Sequence, residues 1–162
     1  MKVVDLFSGT GSATEPWARA GHHVIRYEIE EGHDVRAATV EPGCTFIWAS
    51  PPCTEYSTAA RGNTERRPDL ELWKIALGFI QRSRPKYWVI ENVVGAQRFW
   101  GRAPYHYGAW YLWGWFPPLT LRSIAPRKMA HRSALERARV PCELAEALYD
   151  TIITDMTIRR LR

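Results

Sequence analysis

Four short stretches hold the residue types best suited to chemistry: Ser8-Gly9-Thr10-Gly11, Glu28, Pro51-Pro52-Cys53 and Glu91-Asn92. A thiolate is a strong nucleophile, already partly populated at neutral pH and more so beside positive charge. Two prolines with fixed φ stiffen the chain before Cys53 and can hold its thiol at a defined position. Ser50, Thr54, Glu55, Tyr56 and Ser57 surround that thiol with polar groups. Glu91 is the natural acid or hydrogen-bond partner for such a nucleophile, and Asn92 can position the loop. The glycine pair after an apolar run is a weak signal alone, but Glu28 follows Gly9 by 19 residues. An acidic side chain at that offset can accept hydrogen bonds from two ribose hydroxyls.

These residues need elements that bring them together. Val3, Val4, Leu6 and Phe7 form a short strand ending in the glycine turn, SATEPWARAG reads as a helix closed by Gly21, and HVIRYEIE reads as a second strand. Thr45 to Ala49 is a third strand, stopped by Pro51-Pro52. Asp69 caps a helix running to about Ser83, with Trp73, Ala76, Leu77 and Ile80 at core-stripe spacing. Tyr87 to Ile90 is a fourth strand that ends at Glu91-Asn92. Further on, Tyr105, Tyr107, Tyr111, Trp113 and Trp115 alternate as one face of a strand, and Pro141 opens a helix with Leu144, Leu148 and Ile152 along one side. Strands alternating with helices give an α/β, Rossmann-like fold with a mainly parallel sheet covered on both faces. Ligands in such sheets bind beyond the carboxyl ends of the strands, so all four stretches share one rim.

A chain of 162 residues forms one domain, expected to span 1–162. Three cysteines without a CxxC pair support neither a disulfide framework nor a metal site; Cys44 and Cys142 read as small buried apolar residues. No apolar run is long enough to span a membrane, and the chain enters a strand pattern at once, so a soluble, cytoplasmic protein is expected. The net charge of +5 favours a polyanionic partner, although a solvated basic surface accounts for charge alone. Arg61, Arg66, Arg67, Arg98 and Arg102 are the candidate nucleic-acid contacts.

A dinucleotide site usually has a third glycine where this chain has Thr14, so the turn suits a nucleoside without a pyrophosphate, such as S-adenosyl-L-methionine. DLFSGTGSAT, SPPC and ENV, in this order and spacing, resemble the first, nucleophile and glutamate motifs of the DNA cytosine-5 methyltransferases, over roughly residues 1 to 95. WYLWG and RARVPCELAEAL resemble small phage-type members. The resemblance implies methyl transfer from S-adenosyl-L-methionine to C5 of cytosine in DNA, through a covalent adduct of Cys53 with C6, in a bacterial or phage-infected host cell. It implies catalytic roles for Cys53, Glu91, Asn92 and Pro52. Phe7, Ser8, Gly9, Thr10, Gly11, Glu28, Ile29, Asp34, Val35 and Pro51 would bind the cofactor, Asp34 through the adenine amino group. Double-stranded DNA would present a flipped cytosine.

The chain departs from that pattern in three places. The segment from Glu28 to Ser50 is compressed, the family's Gln-x-Arg-x-Arg is missing from the aromatic segment, and the last motif lacks its Gly-Asn. Arg98, Arg102 and Arg122 are candidates to replace the absent arginine. There is no room for a target-recognition domain of the usual size, so specificity is slight or comes from the 58–70 loop, the aromatic segment, or a protein partner or oligomer. Two alternatives stay open: a non-catalytic, nucleic-acid- or partner-binding member of the fold, and the same chemistry on RNA or a free nucleotide.

Overall fold

The structure is a computed structural model that describes residues 1–39, 41–56, 68–121, 136 and 138–161. Its centre is a six-stranded sheet built from β1 (Lys2–Leu6), β2 (His23–Tyr27), β3 (Phe46–Ala49), β4 (Tyr87–Asn92), β5 (Tyr105–Tyr107) and β6 (Trp110–Trp115) in the order β2-β1-β3-β4-β6-β5. The first four strands are parallel, β6 runs antiparallel to β4, and β5 antiparallel to β6. The expected α/β architecture is therefore present.

Both faces of the sheet are covered, which is why β1 and β3 read as continuous apolar runs rather than alternating ones. On one face Val3, Phe46, Trp48, Val89 and Leu112 pack against Trp17 of α1 (Glu15–Arg19) and against the carboxyl-terminal helix, Cys142–Arg160. That helix, α4 in the count below, buries Leu144, Leu148 and Ile152 as its spacing foretold. The opposite face packs Val4, Leu6, Ile47, Ala49 and Ile90 against Ala76, Phe79 and Ile80 of α2 (Glu71–Ser83). The N-cap position of α2 is Leu70 rather than the expected Asp69, which lies one residue earlier and accepts a hydrogen bond from the Glu71 amide at 2.8 Å. α3 is one short turn, Gln97–Trp100, after β4.

Two further sequence expectations need correction. The aromatic segment is a hairpin rather than one strand face: the chain reverses at Gly108, with φ +62°, and Tyr105 and Tyr107 sit opposite Leu112 and Trp110. The turn changes the parity, so Tyr105 and Tyr107 share the face of Leu112, while Tyr111, Trp113 and Trp115 belong to the other. Cys142 is exposed at the start of α4 with its Sγ 3.4 Å from a Glu143 carboxylate oxygen, unlike Cys44, which is buried as expected.

β1 pairs with β2 on one side and β3 on the other, so the chain leaves the middle of the sheet in both directions. The carboxyl ends of β1 and β3 thus flank a topological switch point, where open α/β sheets bind ligands. The short connection from Glu28 to Phe46 holds single 3-10 turns at Ile29–Glu31 and Val35–Ala37.

Candidate active site

Parallel pairing carries four strand ends to the same rim, and backbone hydrogen bonds lock them in register beyond the strands. The Ser8 amide donates to the Tyr27 carbonyl and the Ser50 amide to the Leu6 carbonyl, each at 3.1 Å. The glycine turn, Glu28, the proline loop and the end of β4 are therefore neighbours, as the strand order required.

Phe7 leaves β1 with φ +60°, a left-handed conformation that a bulky residue adopts at a cost of about 1–3 kcal/mol. It turns the backbone so that Gly9, at φ +52°, faces open space above the turn. The Gly9 amide donates to Glu28 Oε2 at 2.6 Å, and the Glu30 amide lies 3.4 Å from Oε1. Glu28 thus ties the end of β2 to the glycine turn, and a carboxylate with two such bonds keeps acceptor capacity for a ligand hydroxyl. Ile29, beside it, is 63% exposed, an apolar surface at the same edge. Asp34 accepts from the Arg36 amide and pairs with its guanidinium, whereas Val35 turns inward and is buried.

Below the turn lies a carboxyl group that sequence reasoning did not single out. Asp5 is fully buried; its Oδ2 accepts the Thr14 hydroxyl at 2.7 Å, and burial pushes its pKa up to about 7. Asp5 Oδ1 and the Ser8 hydroxyl are buried without a hydrogen-bond partner among the described residues. Two such oxygens under a turn with space above it suit a ligand that carries a donor group. Thr14, at the third-glycine position, is occupied in holding Asp5.

On the other side of the switch point, Pro51 is buried while Pro52 and Cys53 are exposed. Cys53 opens the 3-10 turn Cys53–Glu55, whose end is set by the Tyr56 amide donating to the Cys53 carbonyl at 2.9 Å. Cys53 is thus an exposed residue at the rim. Asn92, 2% exposed, donates from Nδ2 to the Pro51 carbonyl at 2.8 Å and accepts from the Val93 amide at 2.9 Å. Its amide fastens the proline loop to the end of β4.

Glu91 lies between these parts. β3 and β4 run in register through Ala49 and Ile90, which sets Ser50 beside Glu91. The Ser50 hydroxyl accepts from Trp48 Nε1 at 2.7 Å and donates to the Glu91 carboxyl. Burial raises the Glu91 pKa to about 7, against the opposing effect of the Ser50 hydrogen bond. A carboxyl group with that pKa is present at neutral pH both as an acid and as its base, the condition for general acid chemistry. The Trp48–Ser50–Glu91 chain escaped the sequence reading, although strand register with Ser50 one residue past β3 was a signal for it.

A second missed contact supports the nucleophile turn. Gly95 packs so closely on Tyr56 that a Cβ there would sit 1.9 Å from the Tyr56 carbonyl oxygen. The Tyr56 ring meets Trp100 edge-on at 4.9 Å and Phe99 at 6.0 Å, and its hydroxyl donates to the Asp69 carbonyl at 3.1 Å. Arg98 and Arg102 are exposed on this side of the rim. Arg61, Arg66, Arg67, Arg122 and most of the 58–70 loop lie outside the described residues.

Residues 26–99 match the family model described as C-5 cytosine-specific DNA methylase. Over that segment the chain is similar to the family. The match runs from the end of β2 through Glu28, Cys53, Glu91 and Asn92 to Phe99; the glycine turn precedes it. No curated protein matches the chain. Among solved structures it is similar to a protein described as a DNA modification methyltransferase encoded within a prophage (E. coli), at 24% identity and a TM-score of 0.44. That similarity covers 59% of this chain and 33% of the other, so the chain spans about a third of that protein's length. Among the described residues no helix is long and apolar enough to cross a membrane, and no cluster of three potential metal ligands occurs.

Proposed function

We propose that the chain methylates C5 of cytosine in DNA by way of a covalent Cys53–C6 adduct. The observation that carries this reading is an exposed thiol on a loop fastened by Asn92 to the strand that bears Glu91, a buried carboxyl with its pKa near neutrality.

Cytosine C5 is a poor nucleophile because the aromatic ring holds its electrons. The Cys53 thiolate attacks C6; the S–C6 bond forms, and the ring's π electrons move through C4 to N3. Protonated Glu91 gives its proton to N3, or shares it there, so the negative charge does not accumulate. The product is an enamine with electron density at C5. S-adenosyl-L-methionine, when bound, supplies an electrophilic methyl group for that carbon. A base then removes the C5 proton, the electron pair re-forms the C5–C6 double bond, the Cys53 thiolate leaves, and the N3 proton returns to Glu91. Pro51, Pro52 and Asn92 hold the sulfur in place throughout, which reduces the entropy cost of reaching the attack geometry.

The residues that would hold the methyl donor are the turn from Phe7 to Gly11, Glu28 with Ile29, and the Asp34-Val35 turn. Glu28 would accept from ribose hydroxyls, and the buried oxygens of Asp5 and Ser8 suit an ammonium group. Arg98 and Arg102 provide exposed positive charge for phosphates on this side of the rim, and Arg61, Arg66 and Arg67 are further candidates by sequence. Double-stranded DNA is the acceptor, with the target base rotated out of the stack.

Expression in a host without cytosine-5 methylation, followed by bisulfite sequencing of its DNA, tests the function. New unconverted cytosines are expected, and their absence alongside tight binding of S-adenosyl-L-methionine to the protein would count against it.

A further inference from the structure

Glu91 stands on β4 among neighbours that offer it little polar contact. On its face of the sheet Leu112 lies opposite on β6 and Val89 two residues back on the same strand, both fully buried. On β3 the register places Ser50 beside it, and the Ser50 amide extends the ladder by donating to the Leu6 carbonyl. Burial and the Ser50 hydrogen bond are the two influences on the Glu91 proton, with no charged group of the described residues added to them. Asp5 differs, since Arg26 and Glu28 act on it besides the Thr14 hydroxyl. Of the titratable groups on the face of Glu91, Asp5 and Tyr105 are each separated from β4 by a strand, and Tyr87 lies at the other end of β4 against Asp155. Cys53 is on the adjoining proline loop, and α1 and α4 cover the face with Trp17, Leu144 and Leu148. One hydroxyl is therefore the polar partner of this carboxyl.

Trp48 fixes the direction of that hydroxyl. Two residues earlier on the same face, it donates from Nε1 to Ser50 Oγ at 2.7 Å. An indole N–H donates and cannot accept, so the Ser50 proton goes to an acceptor elsewhere. Glu91 is that acceptor. When Glu91 releases a proton, the charge left behind meets a donor already aimed at it, and no reorganisation is needed at the moment of transfer. We propose that Ser50 is a positioning residue for the acid: its hydroxyl, turned by Trp48, holds the Glu91 carboxyl and stabilises the carboxylate that remains once the proton has passed to the base. The proposal rests on the methyl-transfer reading for the base that takes the proton, whereas the hold of Ser50 on Glu91 is testable without it.

Carbon-13 NMR of the glutamate carboxyl groups follows the titration directly, with the Glu91 signal assigned by its loss in Glu91→Gln. The wild-type midpoint is expected at about 7. Ser50→Ala removes the donor to the charged form and is expected to raise the midpoint by about one pH unit or more. Ser50→Val and Ser50→Thr have the same shape and differ by the hydroxyl, so Val is expected to raise the midpoint and Thr to keep it. This pair carries the test should Ser50→Ala fail to fold, as thermal melts will show. In methyl transfer, kcat of Ser50→Ala is expected to fall at least ~10-fold, with Ser50→Thr restoring it and the KM for S-adenosyl-L-methionine unchanged. A midpoint that stays put or falls in Ser50→Ala and Ser50→Val, or that rises as far in Ser50→Thr as in Ser50→Val, overturns the proposal. Failure of the methyl-transfer reading looks different: the midpoints shift as expected, yet the bisulfite experiment finds every cytosine converted.

Discussion

Replacing Glu91 by glutamine should stabilise the protein while disabling it, and pH should reveal why. The carboxyl group is 8% exposed, and its pKa rises from the ordinary 4.5 to about 7 in the fold. Because the folded pKa is raised, the stability that goes with the protonated form is fully present below the unfolded value. It is lost as pH climbs through the folded one. The shift corresponds to about 3 kcal/mol, at 1.36 kcal/mol for each pH unit. Glutamine keeps the shape and can still accept from Ser50, but has no charge to bury. Urea unfolding near pH 4 should therefore give similar stabilities for wild type and Glu91→Gln, and near pH 8 the variant should be about 3 kcal/mol more stable. Asp5, shifted the same way, is present in both proteins and cancels. Methyl transfer by the variant should fall ~100-fold or more through loss of the acid. A stability difference that does not change with pH would refute the buried, acid-bearing Glu91 on which the mechanism depends.

Gly95→Ala should lower kcat with little effect on the affinity for S-adenosyl-L-methionine, because a Cβ would meet the Tyr56 carbonyl at 1.9 Å and displace the Cys53 turn. Displacement of the order of 1 Å costs ~100-fold in rate; a variant with unchanged kcat would deny Gly95 that positioning role. Glu28→Ala should weaken S-adenosyl-L-methionine binding at least ~10-fold in titration calorimetry, since it loses both ribose acceptance and the bond to the Gly9 amide, and lost charged hydrogen bonds of this kind cost about 1.5–3 kcal/mol. Undiminished affinity would move the cofactor elsewhere.

How far the sequence could be read followed the range of each signal. β1 to β4 and α2 were legible because apolar runs bounded by glycine and proline report local burial directly. The common rim followed from topology, since parallel strands send their ends the same way. The hairpin was missed because alternation by two continues in sequence through Gly108-Ala109, whereas the reversal there depends on backbone torsion. The exposed Cys142 was missed because burial of a helix's first residue depends on what packs over it. Ser50 stood beside the thiol in the sequence, but its bond to Glu91 exists only through the β3–β4 register. Asp5 lay inside an apolar run, and its tie to Thr14 needs the turn of Gly9 and Gly11 to bring the helix start back over β1. Gly95 carried no signal, because its reason is a close approach across two loops rather than a φ reserved for glycine.

Covalent capture tests the chemistry most directly. A duplex with 5-fluorocytosine in place of cytosine cannot lose its C5 substituent as a proton, so a sulfur that has added to C6 stays attached after methylation. Incubation of this DNA and S-adenosyl-L-methionine with wild-type protein should give a denaturation-resistant complex, with Cys53 as the modified residue by mass spectrometry, and Cys53→Ala should give none. Methyl transfer by Cys53→Ala at the wild-type rate, or a complex attached through another residue, would contradict the assignment of the nucleophile.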